Sequence, residues 1–543
     1  MMKKLLGFSC RFVIPCVVFS TPFAIAAAFS KNRWAIFLAL ASPIFAGIIY
    51  LLDLYKIKYD PQSKKQKRVI TLLFAFIVVF AFVLCAVSIE SSWFYDYPLN
   101  GSVDDYGCYP QMFDAFKKGQ LNIDTDYDLS LLSKLENPYD PAERREATGE
   151  RFGVIWDRAF FDGKLYSYFG VAPIFYLYFP AYILTGKVIS DALAATLISS
   201  AAAIFLGLVL LEALKRNTQK PPFLLVLLGI TTLPSGALLW PTLTNANFYH
   251  IAVLSGILTV SAFFFFALKA DSSSGIKRKA LFALSGLSLG AVVASRPNLV
   301  LYVIIALPFL ISIIKKRPYG GKSLAFDITA FSLPMIFVGV LIMVYNNARF
   351  GSPFDFGSAY QLTLADTSTY SFSASLIMPA IFHYFMQPPS LDHVFPFVHP
   401  AARRLADYGV SRAVYTDASV GALFFPCAWG SFVFPFVKKN GLKTATFICA
   451  VLSVFAVSFF DMCFAGVHLR YAADVMFILA LAGVYLLIYL ASHIEKESGF
   501  YPIAFSVCAA IFAATILIVV PLCLDNERDM IFKYHPEVFR FLM

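Results

Sequence analysis

A chain of 543 residues with 59% hydrophobic residues, 57 Phe and 14% charged residues, at a mean hydropathy of +0.70, lies far outside the range of soluble domains and of disordered chains. It is the composition of a polytopic membrane protein. The net charge of +10 would suit a nucleic-acid binder, but its Lys and Arg residues sit in short loops between apolar stretches, where they act as topology signals, so nucleic acid is excluded as a partner.

Each span needs roughly 20 apolar residues to cross about 30 Å of hydrocarbon. Thirteen segments qualify: 5–29, 34–54, 69–90, 189–211, 222–240, 247–268, 279–295, 298–314, 324–345, 419–437, 444–463, 471–491 and 501–523. All are expected to be helical, because backbone groups in lipid must be satisfied within their own segment. The first also has the makings of a signal peptide, with small residues near Ala26 to Ala28; Arg11 inside the apolar stretch favours an uncleaved span. The basic loops "KIKYDPQSKKQKR" (56–68), "KRNTQK" (215–220), "KRK" (277–279), "KKRPYGGK" (315–322) and "KKNGLK" (438–443) belong on the cytoplasmic side. That places the N-terminus in the cytoplasm, and residues 91–168, about 346–418, the turn at 296–298 and the tip at 464–470 outside. The assignment holds only if "YFGVAPIFYLYFPAYILTG" (168–186) does not cross, so this aromatic, Pro-containing stretch is expected to be re-entrant or interfacial.

Five regions follow: three spans in 1–90, a first outer loop with the interfacial helix in 91–188, central spans in 189–345, a second outer loop in 346–418, and C-terminal spans with an outer tail in 419–543. The stretch 91–168 holds 14 of the 34 acidic residues against 8 Lys and Arg, and it is expected to hold the chemistry. In "PQMFDAFKKG", Pro110 suits a helix start and Gly119 its end; Met112, Phe113 and Phe116 share a face suited to the membrane surface. Asp104 and Asp105 precede that helix, near the outer end of the third span, as candidates for a base or as a solvated turn. "DTDYD" (124–128) lacks the Gly and Glu of a calcium loop and reads as an acidic turn. Lys164, between an aromatic run and the interfacial helix, is placed to meet a phosphate or to snorkel to headgroups. In "GVHLRYAADVMF" (466–477), His468 and Arg470 open a late span, and Arg offers a planar fork for phosphate oxygens. Arg296 in "SRPNL" reads as structural. His383, His393 and His399 lack metal-ligand spacing, and although a divalent metal is compatible with the acidic loop, no motif implies one, nor any other cofactor. The nine cysteines show no disulfide framework.

Together "DDYGCYPQMFDAFKKG", the "GK.Y.YFG..P" pattern from 163, "SRPN", "YNNARFGSPFDFGSAYQL" (345–362) and "HLRYAAD" (468–474) resemble bacterial membrane glycosyltransferases of the GT-C superfamily, of the protein O-mannosyltransferase and lipid A aminoarabinose transferase type. The resemblance spans about residues 70 to 490 and implies an all-α, multi-pass architecture of about thirteen transmembrane helices in the plasma (inner) membrane, with an outward-facing site. It implies inverting transfer of a sugar from a polyprenyl-phosphate donor to a lipid, glycan or protein acceptor. Residue by residue it makes Asp105 the catalytic base, with Asp104 as fallback and Tyr109 four positions on; Lys164 and Arg470, with His468, would bind the donor phosphate. Tyr166, Tyr168, Tyr360 and Gln361 are the further substrate-binding candidates. Two departures stand out: two extra spans precede the catalytic loop, and Asp474 stands where many members carry Pro. Two rivals make different demands. An O-antigen ligase or polymerase would use the later loop, around His383, Arg403, Arg404 and Arg412, and a lipid or solute transporter would need polar residues within the spans.

Overall fold

The computed structural model describes residues 7–30, 33–88, 107–149, 157–315, 321–392, 395–403, 415–436, 441–495 and 498–525, with isolated positions beyond. Asp104, Asp105, His393, Arg404 and Arg412 lie outside the described residues.

The chain is an all-α, multi-pass membrane protein. Among the described residues ten helices are long and apolar enough to cross a membrane. Three form the interior: Asp191–Leu214, Phe248–Asp271 and Leu469–His493. Their burial follows from sequence, since they are apolar all round and carry small residues such as Ala194, Ala195, Ala202 and Ala203, which let backbones approach where no hydrophobic force drives helices together. Gly286 shows how close that approach becomes: a Cβ there would lie 1.8 Å from the Phe331 carbonyl oxygen of the Gly321–Phe350 helix. The N-terminal pair Ser9–Ser30 and Arg33–Leu51 forms a peripheral hairpin on Phe500–Leu524, where Tyr50 bonds Ser506 and stacks edge-on against Phe505 at 6.2 Å. Its outward Leu40, Ile44 and Phe45 remain exposed, as a lipid-facing surface requires.

Three of the thirteen expected spans are broken rather than continuous. The 222–240 segment is Phe223–Gly236 followed by Leu239–Leu243, with Leu238 in the left-handed region at φ 57° between them. The 298–314 segment is a 3₁₀ stretch, Pro297–Tyr302, continuing into Val303–Lys315. The 419–437 segment is 3₁₀ throughout its helical part, Pro426–Phe436. Proline accounts for two of these, because it lacks the N–H and its ring collides with the preceding turn: Pro297 opens the 297–302 stretch, and Pro426 and Pro435 lie in 426–436; the first break falls at Leu238. Hydropathy windows register apolarity and are blind to this. The last segment gains from its irregularity, since Gly430 seats its backbone against Gly483 of the Leu469–His493 helix, where a Cβ would lie 2.1 Å from the Gly483 oxygen.

Residues 174–185 form a 12-residue helix that begins as a π turn. At about 1.5 Å per residue it is about 18 Å long, short of the hydrocarbon thickness. The Cys108–Lys117 helix ends before Gly119 at φ 78°. Its apolar face meets protein rather than lipid: Phe113 packs on Phe179 at 5.0 Å and Tyr182 at 5.3 Å, and Met112 is buried. The amphipathic pattern therefore reported burial under a neighbouring helix, which a sequence cannot distinguish from burial in headgroups.

The first and second long loops build one cap. Two short strands, β1 (Ala159–Phe161) and β2 (Lys164–Tyr166), form a hairpin, and the second loop docks on its base through Asp157 N–H to the Leu362 carbonyl at 3.0 Å and Leu362 N–H to the Arg158 carbonyl at 2.8 Å. Buried Arg144 donates to the Pro138 carbonyl at 2.9 Å and to the Thr363 carbonyl, and Asn137 donates to Asp366 at 2.8 Å. At the opposite end of the bundle, Glu212 accepts from Lys215 at 2.6 Å and Lys269 at 2.9 Å, and buried Arg278 pairs with Asp327 at 2.7 Å.

Candidate active site under the cap

Polar side chains converge where the cap meets the bundle. Arg470 enters from the first turn of the Leu469–His493 helix and is 9% exposed. Its guanidinium lies over the rings of Tyr249, at 4.7 Å, and Tyr471, at 4.9 Å, a placement in which the ring quadrupoles support the cation. His468 caps the same helix, its Nδ1 accepting from the Arg470 amide at 3.0 Å. With 1% exposure, burial first, then Arg470 and His250, hold its imidazole well below the usual histidine range, so the ring is neutral at physiological pH. A neutral imidazole has one acceptor nitrogen. The cap bond at Nδ1 and the bond that Arg470 Nη1 donates to Nε2 at 3.1 Å therefore compete for that one acceptor. The guanidinium, a planar fork of donors, is the group here suited to an anionic oxygen.

Around this pair, Asp157 and Arg158 come from the base of the hairpin and are 5% and 3% exposed. Asp157 adopts a left-handed backbone, φ 53°, which Asp tolerates better than most residues, and its carboxylate accepts from the Tyr249 hydroxyl. Burial raises its proton affinity, while the bonds from Tyr249 and Thr363 and the neighbouring Arg470 and Arg158 act against that rise. Arg158 Nε donates to Gln111 Oε1 at 2.7 Å, and its guanidinium lies 5.4 Å from the Phe248 ring centre. Tyr178 donates to the buried Asp191 at 3.0 Å. Arg296 is occupied: its Nε donates to Asp474 at 2.6 Å and its Nη2 lies 4.0 Å from Asp461, which also accepts from Asn298 at 2.6 Å. Asp474, one turn beyond Arg470, is thus the ion-pair partner that joins this helix to the 296–302 turn. The expected structural role of Arg296 has a concrete form here.

The structure brings Arg470 and His468 together but sets Lys164 elsewhere. Lys164 opens β2 beside the Asp162–Gly163 turn and is exposed, three residues, or about 10 Å of strand, from the Arg158 end of the hairpin. Tyr109 is fully buried, stacked at 6.0 Å on Tyr178 and 6.2 Å from Phe169. Tyr166 packs edge-on against Phe350 at 5.5 Å, and Tyr168 stacks on Phe169 at 4.3 Å. Tyr360 donates to Asp355 at 2.7 Å and packs on Phe161 at 4.7 Å, while Gln361 donates to the Ser358 carbonyl at 2.9 Å; both sit where the second loop docks on β1. Asp124 of the acidic turn pairs with Lys118 at 2.8 Å. Among the described residues no group of three or more His, Cys, Asp or Glu side chains could hold a metal ion. Of the residues marking a later-loop site, His383 is buried against Gln387, and Arg403 is exposed.

Sequence reasoning missed Asp157, Arg158, Gln111 and Tyr249. A signal existed for two of them: "DR" stands directly before a hairpin-forming run. Tyr249 was absorbed into an apolar span, and nothing local marks Gln111.

No family model matches this sequence, and no curated protein matches it. Among solved structures the chain is similar to ArnT from Cupriavidus metallidurans bound to undecaprenyl phosphate, with 12% sequence identity and a TM-score of 0.40 over 87% of this chain and 78% of that one.

Proposed function

We propose that this protein is a membrane glycosyltransferase of the GT-C type, which moves a sugar from a polyprenyl-phosphate donor to an acceptor hydroxyl on a lipid, glycan or protein. The observation that carries this reading is the buried Arg470 guanidinium beneath the cap, bonded to His468 Nε2 at 3.1 Å. A fixed guanidinium suits an oxygen that becomes more negative as a bond to it breaks, and preorganised donors act where charge develops.

In this reading a carboxylate takes the acceptor proton, the acceptor oxygen attacks the anomeric carbon from the face opposite the leaving group, and the bond from that carbon to the phosphate oxygen breaks. Polyprenyl phosphate leaves with the bonding electron pair, and the anomeric configuration inverts. Base assistance contributes roughly 10²- to 10⁴-fold. The base is assigned to Asp105, with Asp104 as fallback, two and three residues before Gly107, which caps the helix carrying Gln111. Lys164, at the hairpin tip, is left to steer phosphate or headgroups toward the site. Tyr109, Tyr166 and Tyr168 shape its aromatic wall, and Tyr360 and Gln361 hold the second loop in place as the acceptor-side lid. The active site faces outward, the N-terminus lies in the cytoplasm and the lipid tail enters from the bilayer.

The test is to supply purified protein in vesicles with a panel of polyprenyl-phosphate sugars and to measure free polyprenyl phosphate together with transferred sugar. Equal amounts of the two support the proposal. Phosphate-lipid release from no donor by folded protein, together with retained transport of a lipid or solute across the vesicle, would replace it with the transporter reading.

A further inference from the structure

Asp157 and Tyr249 have no place in the reaction written above, yet both are tied to its cation. Tyr249 opens the Phe248–Asp271 helix, whose N-cap Asn247 accepts from the Tyr249 amide at 3.1 Å. One end of its side chain, the hydroxyl, donates to Asp157, and the face of its ring lies 4.7 Å from the Arg470 guanidinium carbon. A tyrosine held at its hydroxyl cannot swing its ring about χ1 away from the cation. Asp157 is itself held by the second loop, since its N–H donates to the Leu362 carbonyl at 3.0 Å and Thr363 reaches its carboxylate. Three chain segments far apart in sequence thus converge on the orientation of one guanidinium.

We propose that Asp157 and Tyr249 are positioning residues, a relay from the docked cap to Arg470 that sets the aim of the phosphate-binding cation. The proposal rests on the glycosyltransferase reading and deepens it by assigning how the phosphate site is assembled. Asp157 reaches Arg470 through Tyr249 as well as by its own charge, and Tyr249 acts on Arg470. When the second loop is docked the relay is taut and Arg470 points at the phosphate. The carboxylate is suited to this because a charged acceptor makes a stronger bond to a phenol than a neutral one. The left-handed backbone at residue 157 allows a clean test, since Asn tolerates that conformation and leaves the loop fold in place.

The experiment is binding of undecaprenyl phosphate, with undecaprenol as the neutral control, to the full chain in nanodiscs. It compares the parent with Asp157→Asn, Tyr249→Phe, the double variant and Asp157→Glu. The relay predicts that each single variant binds undecaprenyl phosphate roughly 10- to 150-fold more weakly, about the worth of one charge-assisted hydrogen bond, and that undecaprenol binding is unchanged. The double variant should be no weaker than the weaker single one, because both act along one line, and Glu should restore part of the loss. Parent binding with single variants that match it, or with losses that multiply in the double variant, would overturn the relay and leave the glycosyltransferase reading intact. Failure of the folded parent to prefer undecaprenyl phosphate over undecaprenol would overturn both. A general loss of folding would weaken both lipids alike and would not be rescued by Glu, which also counts against the relay.

Discussion

Removing either member of the Arg296–Asp474 pair probes the anchor that holds the Arg470 helix in register. Asp474 is fully buried and Arg296 has a side-chain exposure of 15%; the pair joins the start of the Leu469–His493 helix to the 296–302 turn. Asp474→Leu leaves Arg296 with Asp461, 4.0 Å away. Breaking a buried pair by deleting one partner costs roughly 3–5 kcal/mol, and because Asp461 remains and Arg296 is partly hydrated the cost should be about 3 kcal/mol. Arg296→Met is worse, since it leaves two buried carboxylates and removes their cation, and the upper end, about 5 kcal/mol, is expected. The double variant should cost less than the sum, because the Leu at 474 removes one of the carboxylates that Met at 296 strands. Unfolding in mixed micelles titrated with dodecyl sulfate, followed by tryptophan fluorescence, gives the three values. An Arg296→Met variant no less stable than Asp474→Leu, or single variants each costing under about 1 kcal/mol, would refute the view that this cluster is short of positive charge and structurally essential.

Three further outcomes are expected. Arg470→Ala should lower the turnover of sugar transfer about 10²- to 10³-fold, and Arg470→Lys should recover only a small part, because a point charge cannot replace a planar fork; steady-state kinetics on lipid-linked donors reads both. Gly170→Ala should destabilise the protein by about 1–3 kcal/mol, since the added Cβ would lie 2.0 Å from the Ser295 carbonyl oxygen and 2.5 Å from that of Ala294, prying the 174–185 helix from the bundle; thermal unfolding checks it. His468 is held below its usual range by burial, so between its folded value and about 6.5 the unfolded chain binds more protons. The His468 contribution is therefore complete above about pH 6.5 and is lost as pH falls below it. His468→Asn, which keeps a capping side chain, should flatten that part of the stability curve relative to the parent.

Apolar periodicity and loop charge were enough to read the class of fold, because crossing a membrane constrains length and composition more tightly than packing does. Ten segments became single long helices. The breaks in the segments at 222, 298 and 419 are not legible in hydropathy, and proline alone does not mark them, since Pro22, Pro43, Pro334 and Pro521 sit inside continuous helices. Arg470 and His468 were legible as candidates, since a cation and an imidazole at the mouth of a span are rare and costly, and the structure buries them side by side. Lys164 was chosen by its place in a motif, and the strand register, which sequence spacing does not reveal, sets it at the hairpin tip. Asp157 and Tyr249 became visible only through tertiary contact, because they lie 92 positions apart. The Asp474 that departed from the resembled pattern proved to be the partner of Arg296, a pairing across 178 positions.

The central claim is sugar transfer from a lipid phosphate with an acidic base on the first loop. It is tested most directly by transfer of radiolabelled sugar from polyprenyl-phosphate donors in sealed vesicles, comparing the parent with Asp105→Asn. The account predicts labelled product from the parent and loss of about 10²-fold or more in a variant that still folds and still binds undecaprenyl phosphate. Undiminished transfer by Asp105→Asn and by Asp104→Asn alike would contradict it and move the base to the later loop.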